Sequence, residues 1–224
     1  MKYPICIDRT ASFDVDAQKG FTPICPAELP VPDGDKIVEA LNRQAKFAKY
    51  RVGSKDAHPL NAVWEASAAN PQFSPIPNEP NADIHWTRHC VSGTKGGELL
   101  DGLPAVTDYD FFVWKGMEPN IHPYGACFHD LAGKMSTGVI EWLHAKKINT
   151  VLVGGLATDY CVITTALQLR TAGFNVIMNL SACRGIASAT VEKACAKAKD
   201  AGILIIPDCA DLVQVSNHRD FDLN

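Results

Sequence analysis

The sequence predicts an α/β fold in three layers, a central and mainly parallel sheet with helices on both faces. Short apolar runs alternate with segments of helical spacing, and alternation of that kind implies right-handed crossovers over a parallel sheet. Glycines and prolines fall where those segments should stop. The size also fits: 224 residues, 46% of them hydrophobic and 21% charged, would fold to a radius of gyration of about 17 Å, room for a sheet covered on both faces. We therefore read 1–224 as one domain, with 59–103 a long connection inside it and 216–224 a polar tail without periodicity.

Taken in order, residues 10–15 read as a polar strand, and about 35–49 as a helix with Ile37, Leu41, Ala45 and Ala48 along one stripe. A strand over 51–55 follows. The connection 59–103 is rich in Pro, Asn, Ala and Gly, and such a length without regular structure points to function. Residues 111–114 (Phe-Phe-Val-Trp) read as the next central strand and 150–153 (Thr-Val-Leu-Val) as a buried strand. A helix over about 158–172 places Val162, Ala166 and Leu169 on one face and stops at Gly173. Residues 174–178 form the next strand. Ser188 can cap a helix carrying Val191, Ala194, Cys195, Ala198 and Ala201 up to Gly202, and 203–206 form a last strand before Pro207.

Composition excludes several classes. A net charge of −4 with scattered Lys and Arg argues against a nucleic-acid binder, which needs clustered cations. The longest apolar stretch, near 150–157, is far short of the ~20 residues that span a bilayer. Residues 1–9 hold only a short apolar patch and no signal-peptide core, so the expectation is a reducing cytoplasm. The 8 cysteines are dispersed, with no C-x-x-C pair, which removes the familiar zinc and redox motifs. Most read as small apolar residues of the core.

In open α/β sheets the ligand sits outside the carboxyl ends of the strands. Those positions here hold Asp16, then Asp56 with His58, then Lys115, then Cys161 in Gly154-Gly155-Leu156-Ala157-Thr158-Asp159-Tyr160-Cys161. A cysteine in a first helical turn, with a cation to lower its pKa and a carboxylate to move its proton, suits nucleophilic catalysis. Backbone amides at that turn could also hold an oxyanion. Asp56, His58 and the later His89 mix O and N donors, as zinc, iron or manganese sites do.

With these pieces in order, the chain resembles the nicotinamidases of the isochorismatase-like cysteine hydrolase superfamily. The resemblance rests on the D-x-Q-x-x-F of Asp16 to Phe21, the D-x-H of Asp56 to His58, Trp86-x-x-His89-Cys90-Val91, Lys115-Gly116, and Gly155 to Val162. It spans about residues 10–210 and implies an isochorismatase-like, Rossmann-like topology. It makes Cys161 the nucleophile, Asp16 its proton acceptor and later acid, and Lys115 the cation that steadies the thiolate. Leu156-Ala157 would be a cis peptide, with the Ala157 and Cys161 amides forming the oxyanion hole.

By the same resemblance Asp56, His58 and His89 hold one divalent metal ion per chain, zinc first, with iron and manganese as alternatives. Phe21 and Trp86 would sandwich a pyridine ring, with Leu156 and Tyr124 nearby. The implied reaction turns nicotinamide into nicotinate and ammonia through a cysteine thioester, a step of NAD salvage. Pyrazinamide-like analogues are further candidate substrates, no nucleic acid or membrane partner is implied, and a homo-oligomer stays open. Glu65 is read as a solvated helix carboxylate rather than a further ligand, and His85 and His122, which flank the site, as surface residues. Two alternatives were weighed. A metal-free relative acting on a ureido or carbamoyl compound would lack the metal set, and a non-catalytic binder would lack one of Asp16, Lys115 or Cys161; all are present.

Overall fold

The structure is a computed structural model and describes residues 2–215, so the tail 216–224 lies outside the described residues. The chain begins with β1 (Tyr3–Ile5) and then enters the main sheet: β2 (Thr10–Val15), α1 (Val38–Ala45), β3 (Tyr50–Asp56) and β4 (Phe111–Lys115). The second half runs α2 (Val139–Ala145), β5 (Thr150–Leu156), a wide π turn (Thr158–Val162), α3 (Ile163–Thr171), β6 (Asn175–Arg184), α4 (Ser188–Asp200), β7 (Leu204–Ile206) and β8 (Leu212–Gln214).

The main sheet has 6 strands in the order β4-β3-β2-β5-β6-β7, every pair parallel. Parallel strands are buried on both faces and so read as nearly unbroken apolar runs, and β5 alternates accordingly. Val151 and Val153 face a core built with Leu143 of α2, Leu169 of α3 and Ala198 of α4. Leu152 faces the other way, against Ile177, Ile206 and Leu212. On that second side Leu41 of α1, with Ile37 just before the helix, joins a cluster with Phe21, Trp64, Trp86 and Leu156. Two helical and irregular layers therefore enclose the sheet, as the alternation predicts.

Strands grow outward in both directions from the β2/β5 pair, because the chain places β3 and β4 on one side of β2 and β5 to β7 on the other. That reversal opens a crevice at the carboxyl ends of β2 and β5. Gly155 makes the close approach there possible: its φ is +136°, and a Cβ would come 1.9 Å from the Val15 carbonyl oxygen.

The expected strands and helices appear with shifted ends, but the strand expected to be central at 111–114 is β4 at the edge of the sheet, where Trp114 is exposed. The helix expected over 35–49 is regular only across Val38–Ala45, with a separate tight turn at Gly34–Lys36 before it. The helix expected from 158 starts as the wide turn that carries Cys161. β6 runs to Arg184, well past 178, with a register shift against β5 between Val153 and Gly155. Sequence periodicity did not reveal α2, which spans 7 residues, or the parallel pair β1 and β8, each 3 residues long. Elements that short carry too few turns or alternations to register as a pattern. All 8 cysteines are free thiols, as their dispersion predicts.

Candidate active site

Strand register brings the site together. Asp56 and Lys115 are direct cross-strand partners at the ends of β3 and β4, a pairing over 59 positions of sequence. Asp16 lies one residue past β2 with φ +44°, a left-handed backbone that Asp tolerates better than most residues. Its amide bonds the Ser54 carbonyl at 3.1 Å, and its Oδ1 accepts the Ser54 hydroxyl at 2.7 Å.

Gln18, in the same motif, clamps the neighbouring strand. Its Nε2 donates to the Asp56 carbonyl at 2.8 Å, and its Oε1 accepts the Asp56 amide at 2.8 Å. The glutamine of D-x-Q-x-x-F thus positions a carboxylate of another strand, a role its spacing does not reveal.

The Lys115 ammonium is the hub. It contacts the Asp16 carboxylate at 3.0 Å, donates to Asp56 Oδ1 and to the Pro123 carbonyl at 3.2 Å, and lies 3.7 Å from Cys161 Sγ. Lys115 and Asp16 have no exposed surface, and Cys161 is buried. Donor atoms of Asp16, Asp56 and Cys161 lie within 4.8 Å of one another.

Lys115 acts on the cysteine pKa in the expected direction, but it does not act alone. Burial pushes the Cys161 thiol well up, Lys115 opposes, and the Asp16 and Asp56 carboxylates add to the rise. One cation is thus shared by two carboxylates and faces the sulfur as well. Burial also raises Asp16, against the pull of Lys115, and a raised carboxylate is the better proton acceptor. Burial acting on Lys115 is outweighed by Asp16 and Asp56, which hold it protonated well above the usual lysine range. Burial would raise Asp56 too, but Lys115 and His58 hold it far below the carboxylate range.

Beside this hub lies a buried histidine cluster. His58 Nδ1 meets the Gly116 carbonyl at 3.1 Å and His89 Nδ1 meets the Thr87 carbonyl at 2.6 Å, so each ring turns its Nε2 toward Asp56 Oδ2, at 3.4 Å and 4.0 Å. Histidines that bind metals are typically held this way, by the other ring nitrogen on a carbonyl. Gly116 of the Lys-Gly pair is required here: its φ is +67° and a Cβ would sit 2.5 Å from the His58 ring. Burial, reinforced by His58, lowers His89 to about 3, which keeps its imidazole neutral. The His58 Nε2 has no hydrogen-bond partner. Such a buried orphan beside a carboxylate and a second imidazole fits a divalent metal of the zinc, iron or manganese kind.

His122 belongs to the same cluster, which corrects its reading as a surface residue. It is 3% exposed, and its donor nitrogen lies within 4.8 Å of those of His58 and His89. Burial, with His58 and His89 adding, pushes its pKa well below the usual range. His85 is buried as well; its Nδ1 meets the hydroxyl and the carbonyl of Ser74, each at 3.1 Å. The connection 59–103 folds onto itself and takes both rings inward, Pro75 bridging Ile84 and Glu65 bridging Trp86. Glu65 is neither helical nor freely solvated. It accepts Arg88 at 2.6 Å and the Asn61 amide at 2.9 Å, bracing the segment that carries His89.

The cavity above Cys161 is lined by Phe21, Trp86, His89, His122, Tyr124 and Tyr160, with Leu29, Asp56, Ala157 and Ile186 completing the wall. Its enclosed part is ≈ 20 Å³, about the room of one water, and the free space counted out to its open mouth is ≈ 270 Å³, a size for small molecules only. Trp86 Nε1 donates to the Tyr124 hydroxyl at 3.2 Å, which donates to Asp83 at 2.7 Å. Leu156 lies instead in the apolar cluster with Ile37 and Leu41, off the cavity wall. The Leu156-Ala157 peptide is cis, as the resemblance implies. Sequence reasoning missed Leu29, Tyr160 and Ile186; only Tyr160, next to Cys161, carried a signal. Asp159, inside the same motif, is structural: it accepts the Ile186 amide at 3.0 Å and the Thr190 hydroxyl, tying the wide turn to the start of α4.

The molecule is thus an α/β protein whose candidate chemistry sits at the switch point of a parallel sheet. It belongs to the isochorismatase family, whose Isochorismatase domain matches residues 10–207. A nicotinamidase of Acinetobacter baylyi is 34% identical over 174 residues, covering 77% of this chain and 79% of the relative. Among solved structures, a nicotinamidase/pyrazinamidase of Acinetobacter baumanii superposes with a TM-score of 0.81 at 31% identity, covering 89% of this chain and 96% of the other. A pyrazinamidase of Pyrococcus horikoshii, solved in complex with zinc, superposes with a TM-score of 0.70 at 30% identity, covering 88% and 98%. The chain is an isochorismatase-family hydrolase related to nicotinamidases, with a candidate metal site. Among the described residues no helix is long and apolar enough to cross a membrane.

Proposed function

We propose that the protein is a nicotinamidase that hydrolyses nicotinamide to nicotinate and ammonia, with Asp56, His58 and His89 holding one divalent metal ion, zinc by preference. The observation that carries this reading is the shared ammonium of Lys115, 3.7 Å from Cys161 Sγ and 3.0 Å from the Asp16 carboxylate, beside the histidine cluster. The relatedness to nicotinamidases and the zinc complex of the Pyrococcus relative support the substrate and the metal.

The metal, when bound, supplies a template that orients the pyridine ring. Phe21 and Trp86 hold the ring's faces, leaving the carboxamide toward Cys161. The Cys161 thiol gives its proton to Asp16 as sulfur bonds the amide carbon, and the Ala157 and Cys161 amides receive the oxyanion. Asp16 returns the proton to the leaving nitrogen, and ammonia departs as the C–N bond breaks. Asp16 then takes a proton from the attacking water and passes it to the sulfur as the thioester C–S bond breaks, restoring the thiol. Lys115 offsets the repulsion between the two carboxylates and faces the sulfur while it carries charge.

Ammonia release from nicotinamide by the purified protein tests this. Cys161→Ala should lower turnover by at least about 10³-fold with an unchanged far-UV circular dichroism spectrum. Absence of nicotinamide turnover in metal-loaded wild type, or normal turnover in the variant, refutes the reading.

A further inference from the structure

We propose that His122 is a fourth protein donor to the metal, making the set Asp56, His58, His89 and His122. The inference rests on the metal-site reading above and changes its membership. The donor nitrogens of His58, His89 and His122 lie within 4.8 Å of one another, all buried. Neither ring nitrogen of His122 has a hydrogen-bond partner. Leaving a buried polar group unpaired is costly, so a ring with both nitrogens unpaired calls for a ligand. His85 supplies the contrast: it is also a buried histidine, but its Nδ1 is met by Ser74 at 3.1 Å, as expected of a residue whose role is structural.

The His122 ring is not loosely held. Ile121 O accepts the Trp64 indole at 3.1 Å, the His122 amide donates to Asn81 O at 2.7 Å, and Pro123 O accepts Lys115 at 3.2 Å. Three successive residues are thus pinned, and the ring stacks between His58, 5.2 Å away at 16°, and Trp86, 5.8 Å away at 14°. Positioning this firm with no internal partner is what a metal ligand needs. Three imidazoles and one carboxylate suit a borderline dication and leave fewer positions open to an exogenous ligand than three donors would.

The test uses the full chain and zinc alone. Zinc affinity is measured by competition with a chromophoric chelator, and the number of bound imidazoles by X-ray absorption at the zinc edge, for wild type, His122→Ala, His122→Asn and His85→Ala. The expected result is three imidazoles in wild type and in His85→Ala, two in both His122 variants, and an affinity at least tenfold weaker in those two. Circular dichroism of the metal-free proteins, with the Asn variant as the milder change, separates ligand loss from unfolding. Two imidazoles in wild type overturn the proposal whatever the affinities, as does a wild type that takes up no zinc. No amide is turned over in these measurements, so failure of the nicotinamidase reading and failure of this one are seen separately.

Discussion

Asp14 and Asp16 stand two residues apart at the end of β2, both buried and both facing a cation from another strand of the sheet, yet the two neighbourhoods are built differently. Asp14 faces one guanidinium, that of Arg51 at 2.6 Å, with the Tyr109 hydroxyl at 3.0 Å. Asp16 must share its cation: the Lys115 ammonium also serves Asp56, with a thiol 3.7 Å away. One charge against one makes a brace. Two carboxylates against one ammonium leave a surplus negative charge, and that surplus keeps a proton acceptor beside a thiol. The difference lies in stoichiometry more than in residue type, because burial raises the pKa of both aspartates.

The sharpest break of this comparison is Asp16→Asn. It should cost at least about 10³-fold in kcat, or ~4 kcal/mol of barrier, while the melting temperature stays level or rises, since Lys115 and Asp56 become a simple pair. A stability loss like that of an Asp14 variant would show that the two clusters are alike after all. Arg51→Met comes next. It strands Asp14 and should lower stability by about 3 kcal/mol, the lower end for a broken buried pair because Arg51 reaches solvent, with nicotinamide turnover per folded molecule unchanged.

The deficit in Arg51→Met should also depend on pH. Burial holds the folded Asp14 pKa above its ordinary value and Arg51 opposes it, so losing Arg51 raises it further. A carboxyl whose folded pKa is raised binds more protons folded than unfolded, so stability falls as pH climbs from the unfolded value through the folded one. Denaturant titrations at pH 5 and pH 8 should therefore show the larger deficit at pH 8; an equal deficit at both would leave Asp14 without this role. The smallest effect expected is that of Tyr124→Phe, which removes the link from Trp86 to Asp83. It should raise KM for nicotinamide less than tenfold with kcat nearly unchanged, and a large fall in kcat would instead place Tyr124 in the chemistry.

Much of this was legible in the chain. The apolar run at β5 announced a buried parallel strand, and the strand-end rule selected Asp16, Asp56, Lys115 and Cys161, which the fold does bring within reach of one another. His122 was not legible. It stands in a Pro-flanked loop with no periodicity, and only the folding of 59–103 against that loop buries it, through Trp64 and Asn81. The sharing of Lys115 between Asp16 and Asp56 was equally hidden, because it depends on how three strands end beside one another.

By itself the sequence determined the layered α/β class, the kinds of chemical group at each strand end and the dispersed free cysteines, since apolar periodicity and helix stops are local properties that survive without a partner. Folding had to add that Asp56 faces Lys115 in register, that one ammonium serves two carboxylates, and that His122 joins His58 and His89. Register, burial and charge balance arise between segments far apart in the chain, and no local pattern encodes them.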